Sequence, residues 1–274
     1  AFVASYLDGT NGLDGFGGAA GLAISPDGKN LYATGSTDDA IAVFGRDPST
    51  GVLTAVEVQR ESDPVVDGLD GAAAVAVSPD GDHVYVASAD DDALSVFARA
   101  ADTGALTYVM RAKDGFGGVD LGTMSEPVAV AIPPDGAQVL VAGAQSDSIA
   151  VFARDAATGA VTLQQVLYDG VDGVDGLDLV QALIVSPGGR FVYAAGLADD
   201  AIAIFGRDLA SGELTYLGQA KNGQPGFSGL DGVRGQRRGE GERAGEAGGG
   251  TGAVVHRHVS SPCELLRRGF RPVY

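Results

Sequence analysis

The chain has 274 residues, 45% of them hydrophobic, with 43 glycines, no tryptophan and a formal net charge of −18. That length bounds one large all-β domain or two ordinary ones, and the acidic balance argues against nucleic acid and anionic bilayers as partners. The single cysteine, Cys263, excludes a disulfide framework and a thiolate zinc site, and no apolar run approaches the roughly 18 residues of a membrane helix.

In chain order, "AFVASYLDG" at the start reads as the closing strand of an earlier unit. With no Met at position 1 and no visible signal peptide, a fragment or processed form is expected. "AISPDGKNLYATG" (23–35) then recurs as "AVSPDGDHVYVAS" (76–88), "AIPPDGAQVLVAG" (131–143) and "IVSPGGRFVYAAG" (184–196). Pro26, Pro79, Pro134 and Pro187 lie 53, 55 and 53 residues apart, and Phe44, Phe97, Phe152 and Phe205 keep the same intervals.

Each copy predicts four strands. In the second they are 73–77, 83–88, 93–100 and 105–111, rich in Val, Tyr, Phe and Leu and bounded by turn residues. "SPDG" suits a type I turn, and the glycine of "RDPSTGVL" (46–53) suits the left-handed residue joining strands three and four. A four-stranded unit of this length, repeated, predicts a β-propeller. Four full blades are expected at about 19–62, 72–115, 125–170 and 180–222, within a propeller region 1–232 that is incomplete and open.

Strand alternation puts the 2–3 loops and the 4–1 links between blades on one rim. Those segments hold 20 of the 28 aspartates. The link "DGVDGVDGLD" (169–178) spaces Asp169, Asp172, Asp175 and Asp178 three apart, and these four are the candidate metal ligands. Calcium takes six to eight oxygens from carboxylates, carbonyls and water, and glycine lets carbonyls turn inward. The competing reading is that Asp and Gly are simply good loop residues. The spacing matches neither the EF-hand loop nor the calcium-binding nonapeptide.

Beyond residue 232 the charge reverses: 10 Lys and Arg against 32 Asp and Glu before it, 8 against 4 after it. Residues 233–274 read as a basic disordered tail or as a frameshifted continuation. Shifting GC-rich codons for "GQRRGE" by one base gives Ala-Ser-Ala-Val-Ala, a first strand for the next blade. His256, His258 and Cys263 then carry no site.

Taken over about residues 1–235, units such as "VAVSPDGDHVYVASADDDALSVFARAADTGALTYV" resemble the bacterial lactonase-type β-propeller family, which includes the propeller-type 6-phosphogluconolactonase and YVTN-repeat surface proteins. The resemblance implies a propeller, commonly seven-bladed, with some lactone-hydrolysing members. It carries no catalytic position onto this chain.

Lactone hydrolysis needs a base or metal to activate water and donors for the oxyanion. His83, the one histidine outside the tail, is expected at a surface turn edge, with Asn30, Gln138 and Arg190 as its counterparts. Arg46, Arg99, Arg154 and Arg207 recur in phase, which favours a structural role at the 3–4 turn over phosphate recognition. No catalytic or cofactor-binding residue emerges. The first functional expectation is therefore a non-enzymatic binding or scaffold module of an exported or cell-surface bacterial protein, with calcium as its candidate cofactor. A protein or carbohydrate would be its ligand, and the cytoplasm is the alternative location. The alternative function is a 6-phosphogluconolactonase-like hydrolase of a sugar lactone.

Overall fold

The computed structural model describes residues 4–10, 13–222 and 224. The chain divides into units Ala1–Gly235 and Gln236–Tyr274, and every described residue belongs to the first. The tail expectation for 233–274 lies outside the described residues.

Sixteen strands form four antiparallel sheets, each in sequential order. Blade 1 is β1 (Ala19–Ile24), β2 (Asn30–Gly35), β3 (Ala40–Arg46) and β4 (Leu53–Arg60). Blade 2 is β5 (Ala72–Val77), β6 (His83–Ser88), β7 (Ala93–Arg99) and β8 (Leu106–Lys113). Blade 3 is β9 (Pro127–Ala131), β10 (Gln138–Gly143), β11 (Ser148–Arg154) and β12 (Val161–Tyr168). Blade 4 is β13 (Val180–Val185), β14 (Phe191–Gly196), β15 (Ala201–Arg207) and β16 (Leu214–Lys221). The first strands β1, β5, β9 and β13 are neighbours in succession. The all-β propeller of four-stranded blades is therefore present.

The turn chemistry explains the repeat. In "SPDG" the Gly28 N–H donates to the Ser25 carbonyl at 2.8 Å, and the Ser25 hydroxyl donates to the Asp27 carboxylate at 2.5 Å. Gly28 sits at φ +70°, a conformation glycine adopts without Cβ strain.

The apolar core lies between blades. One cluster joins Tyr32, Ile41 and Val43 of blade 1 to Leu69, Val84 and Phe97 of blade 2. A second joins Tyr85, Leu94 and Val96 to Met124, Val139 and Phe152. A third joins Leu140, Ile149 and Val151 to Leu177, Val192 and Phe205. β6 and β10 are buried at every position because neighbours cover both faces.

Residues 4–7 make no strand ladder, the described residues holding no third strand for them to pair with. Tyr6 instead accepts the Leu53 backbone N–H on its hydroxyl at 2.7 Å.

Candidate functional site: the acidic rim and the joints below it

At the rim of the 1–2 and 3–4 turns, each joint is closed by one arginine. Arg99 donates from Nε to the Tyr32 hydroxyl at 2.9 Å, from Nη2 to Asp27 and Asn30, and from Nη1 to the Gly81 carbonyl. Arg154 repeats this with Tyr85 at 2.8 Å, Asp80 at 2.7 Å and Gly136. Arg207 repeats it with Gln138, Asp135 and Gly189. Arg99, Arg154 and Arg207 are thus clamps that hold each blade to the one before it, whereas Arg46 bonds the Gly28 carbonyl of its own blade.

His83 is corrected here: it is 4% exposed, and its Nδ1 lies 2.9 Å from Arg154 Nη2. Its counterparts as first residues of second strands are Asn30, Gln138 and Phe191 rather than Arg190. The side chain at that position points into the next blade, so a turn-edge location on one blade is an interior location in the stack.

The opposite rim is built from carboxylates that accept backbone N–H groups. Asp8, Glu61 and Asp169 each accept from a residue eight positions on, namely Phe16, Leu69 and Leu177. Asp114 accepts from Gly122 and Thr123. Asp39, Asp92 and Asp147, all at φ 50°, reach across the joint and accept from Gly71, Glu126 and Leu179 of the next blade at 2.7–3.0 Å. Many of the rim acids therefore close loops and joints.

Three repeat-equivalent groups bring three carboxylates within 4.8 Å: Asp8, Asp14 and Asp38; Glu61, Asp67 and Asp91; Asp169, Asp175 and Asp199. Of the four aspartates in the 169–178 link, Asp169 and Asp175 meet in such a group. Asp172 and Asp178 are not in it; Asp172 is exposed and Asp178 donates its N–H to Asp199. Each group has a cation from its own sheet: Arg60 on Asp14 at 2.6 Å, Lys113 on Asp91 at 2.6 Å and Lys221 on Asp199 at 2.9 Å. In blade 3 the corresponding residues are Ser146 and Tyr168, so acid and base are lost together. A calcium ion would compete with these side-chain cations for the same oxygens.

Titration behaviour separates the two rims. On the acidic rim burial pushes up the carboxyls of Asp70, Asp92, Glu126, Asp147 and Asp178, with neighbouring acids adding to the effect. On the other rim the Ser25 hydroxyl holds Asp27 down at about 2. There, hydrogen bonds from Ser78 and Arg154, and from Arg207, hold Asp80 and Asp135 down against their burial.

Asp70 is raised to about 6 by burial first and then by Asp39, to which it is hydrogen-bonded. A carboxyl raised above its unfolded value of about 3.9 binds its proton more tightly in the folded state, so it costs stability as pH climbs from about 4 to about 6. Asp70→Asn keeps a donor for Asp39 and removes the charge. It is expected to stabilise the protein at pH 7.5 by on the order of 1 kcal/mol after allowance for solvent screening, with the gain gone at pH 4. Thermal melts at the two pH values check this, and an equal effect at both would contradict it.

Comparison with known proteins follows the same architecture. The family model "Lactonase, 7-bladed beta-propeller" matches residues 3–63 and 60–174. A candidate 6-phosphogluconolactonase of Bacteroides uniformis superposes with TM-score 0.61 at 19% identity, covering 74% of this chain and 55% of that one. The periplasmic gluconolactonase of Pseudomonas aeruginosa gives TM-score 0.57 at 24% identity, covering 74% and 54%. An uncharacterized protein of Lactococcus lactis subsp. cremoris is 24% identical over 159 residues, 54% of this chain and 41% of that protein. The chain thus spans about half the length of these relatives or less, and at these identities the superpositions establish the fold alone. With the family match running through three of its four blades, this chain belongs to the seven-bladed lactonase β-propeller family.

Proposed function

We propose that the protein contributes to hydrolysis of a sugar lactone, in the manner of a 6-phosphogluconolactonase-like enzyme but on a neutral, unphosphorylated ring. The observation that carries the reading is the lactonase family match over residues 3–174. The same match favours a hydrolase over the exported scaffold expected first.

The charge distribution favours a neutral substrate. Of the ten Lys and Arg in residues 1–232, Arg60, Lys113 and Lys221 stand on the acidic rim and each already pairs with an aspartate there. Arg111 pairs with Asp67. The others belong to the opposite rim or its clamps. A dianionic phosphate approaching the acidic rim would meet uncompensated repulsion, whereas a neutral aldonolactone would not.

Asp70 and Glu126 are the groups suited to act. A general base works best when its pKa lies near the operating pH, and both carboxyls are raised. Glu126 also breaks the repeat: its counterparts are Gly18, Gly71 and Leu179, which accept the same loop N–H. In the proposed step the carboxylate takes a proton from water as the water oxygen bonds to the lactone carbonyl carbon. The ring C–O bond then breaks, and the leaving oxygen takes that proton to give the hydroxy acid.

Acid release from glucono-δ-lactone and from its 6-phosphate, followed with a pH indicator, tests the proposal. Hydrolysis above the spontaneous rate is expected, with kcat/KM at least about tenfold higher for the neutral lactone and kcat reduced in Asp70→Asn or Glu126→Gln. No acceleration of either lactone would overturn it, and a preference for the phosphate would overturn the substrate class.

A further inference from the structure

We propose that the joint between blades 2 and 3 is an acid-sensitive latch, closed by neutral His83 and released when a proton enters at its Nδ1. A guanidinium donates hydrogen bonds and accepts none. The 2.9 Å approach of Arg154 Nη2 to His83 Nδ1 therefore requires a lone pair on Nδ1. A neutral imidazole with its lone pair on Nδ1 carries its proton on the second nitrogen. A further proton would land on Nδ1 and set one N–H donor against another at a buried site.

The groups facing the ring come from every element around it. Arg154 closes β11, and Asp155 follows it. Asp80 and Asp82 lie in the β5–β6 turn, and Tyr85 lies on β6. Gly159, in the β11–β12 turn, lies against the imidazole, since a Cβ there would overlap the ring. Asp80 and Asp82 favour the imidazolium, but burial and then Arg154 oppose it more strongly and hold the imidazole below its ordinary value. A histidine depressed in the folded state costs stability as pH falls below about 6.5.

The neighbouring joints have no such group. Asn30 Oδ1 accepts from Arg99 Nη2 at 2.7 Å, and Gln138 Oε1 accepts from Arg207 Nε at 2.7 Å. Amide oxygens bind no proton between pH 5 and 8, so acid acts on one joint of the three. The latch does not depend on the proposed lactone chemistry.

Hydrogen exchange of the whole chain at pH 7.5 and 5.0, corrected for intrinsic rates, tests it. Protection in 79–83 and 154–159 is expected to fall below the imidazole's ordinary value, by up to about tenfold per pH unit for the one proton taken up. His83→Asn and His83→Gln, which install the residues of the sister joints, should remove that dependence. An NMR titration of His83 in the native sequence, assigned against His256 and His258, should give a midpoint below 6.5 and needs no variant to fold. Equal acid-induced loss in the native protein and in His83→Asn would overturn the latch, as would an imidazole titrating at or above its ordinary value.

Discussion

Arg154→Ala is expected to lower stability by about 3 kcal/mol, the range for breaking a buried ion pair by removing one partner. Its side chain is 1% exposed and donates to Tyr85, Asp80, His83 and Gly136. Truncation leaves a buried hydroxyl, a ring nitrogen and a carbonyl without their donor. Asp80, at 34% exposure, recovers part of its loss from water. For a unit of this size the melting midpoint should fall by roughly 6–12 °C. Arg46→Ala supplies the internal control. It occupies the same place in blade 1, but its guanidinium hydrogen-bonds to the Gly28 carbonyl of its own blade, and it should cost under about 1 kcal/mol. Arg154→Lys should recover less than half, since one ammonium cannot span four acceptors in the guanidinium plane. Thermal melts of the three variants decide the matter: equal losses at positions 46 and 154 would mean that the joint contributes nothing beyond its own blade.

The clamp shows where sequence reading stopped. The repeat, the four strands of each unit and the gathering of aspartates on one rim follow from periodicity, turn residues and strand parity, which are properties of a single blade. The joints are properties of two. Asp27 finds Arg99 72 residues on, Asp80 finds Arg154 74 on and Asp135 finds Arg207 72 on. That near-constant offset is visible in the sequence, but it exceeds one repeat and so escapes an alignment of units. For the same reason His83 reads as a surface residue: its neighbours in sequence are turn residues, and what buries it is the next blade. On the acidic rim, the spacing of 169–178 shows that carboxylates gather but not which ones meet. Asp175 is joined by Asp199, 24 residues further on, because the 2–3 loop folds back onto the link.

The two rims use opposite chemistry for the same mechanical task. Below, buried arginines meet carboxylates held ionised by hydroxyl and guanidinium donors. Above, carboxylates from one blade accept backbone N–H groups of the next, and burial, with neighbouring acids adding to it, raises the proton affinity of Asp92 and Asp147. Acid should therefore relieve repulsion above while it weakens the clamps below. The first limb belongs to Asp70 between about pH 4 and 6; the second belongs to His83 below about 6.5 and to Asp27 approaching 2.

Gly159→Ala should cost about 2–4 kcal/mol, whereas Gly51→Ala should cost about 1 kcal/mol. Both glycines close a 3–4 turn at φ +75°, so both pay the left-handed penalty for a Cβ. They differ in what that Cβ meets. At Gly51 nothing lies within 4 Å, while at Gly159 it would overlap the His83 ring. The ring cannot retreat, because Arg154 holds it through Nδ1 and the blade behind it is packed at every position of β6. The excess at Gly159 thus measures how tightly blade 3 seats on blade 2. Adding His83→Ala should remove that excess, so that Gly159→Ala costs about 1 kcal/mol in the His83→Ala background, a coupling of at least about 1 kcal/mol between residues 76 positions apart. Urea unfolding of the two single variants and the double variant gives the coupling directly. A value near zero would mean that the turn glycine serves its own hairpin alone and that the seating of one blade on the next lies elsewhere.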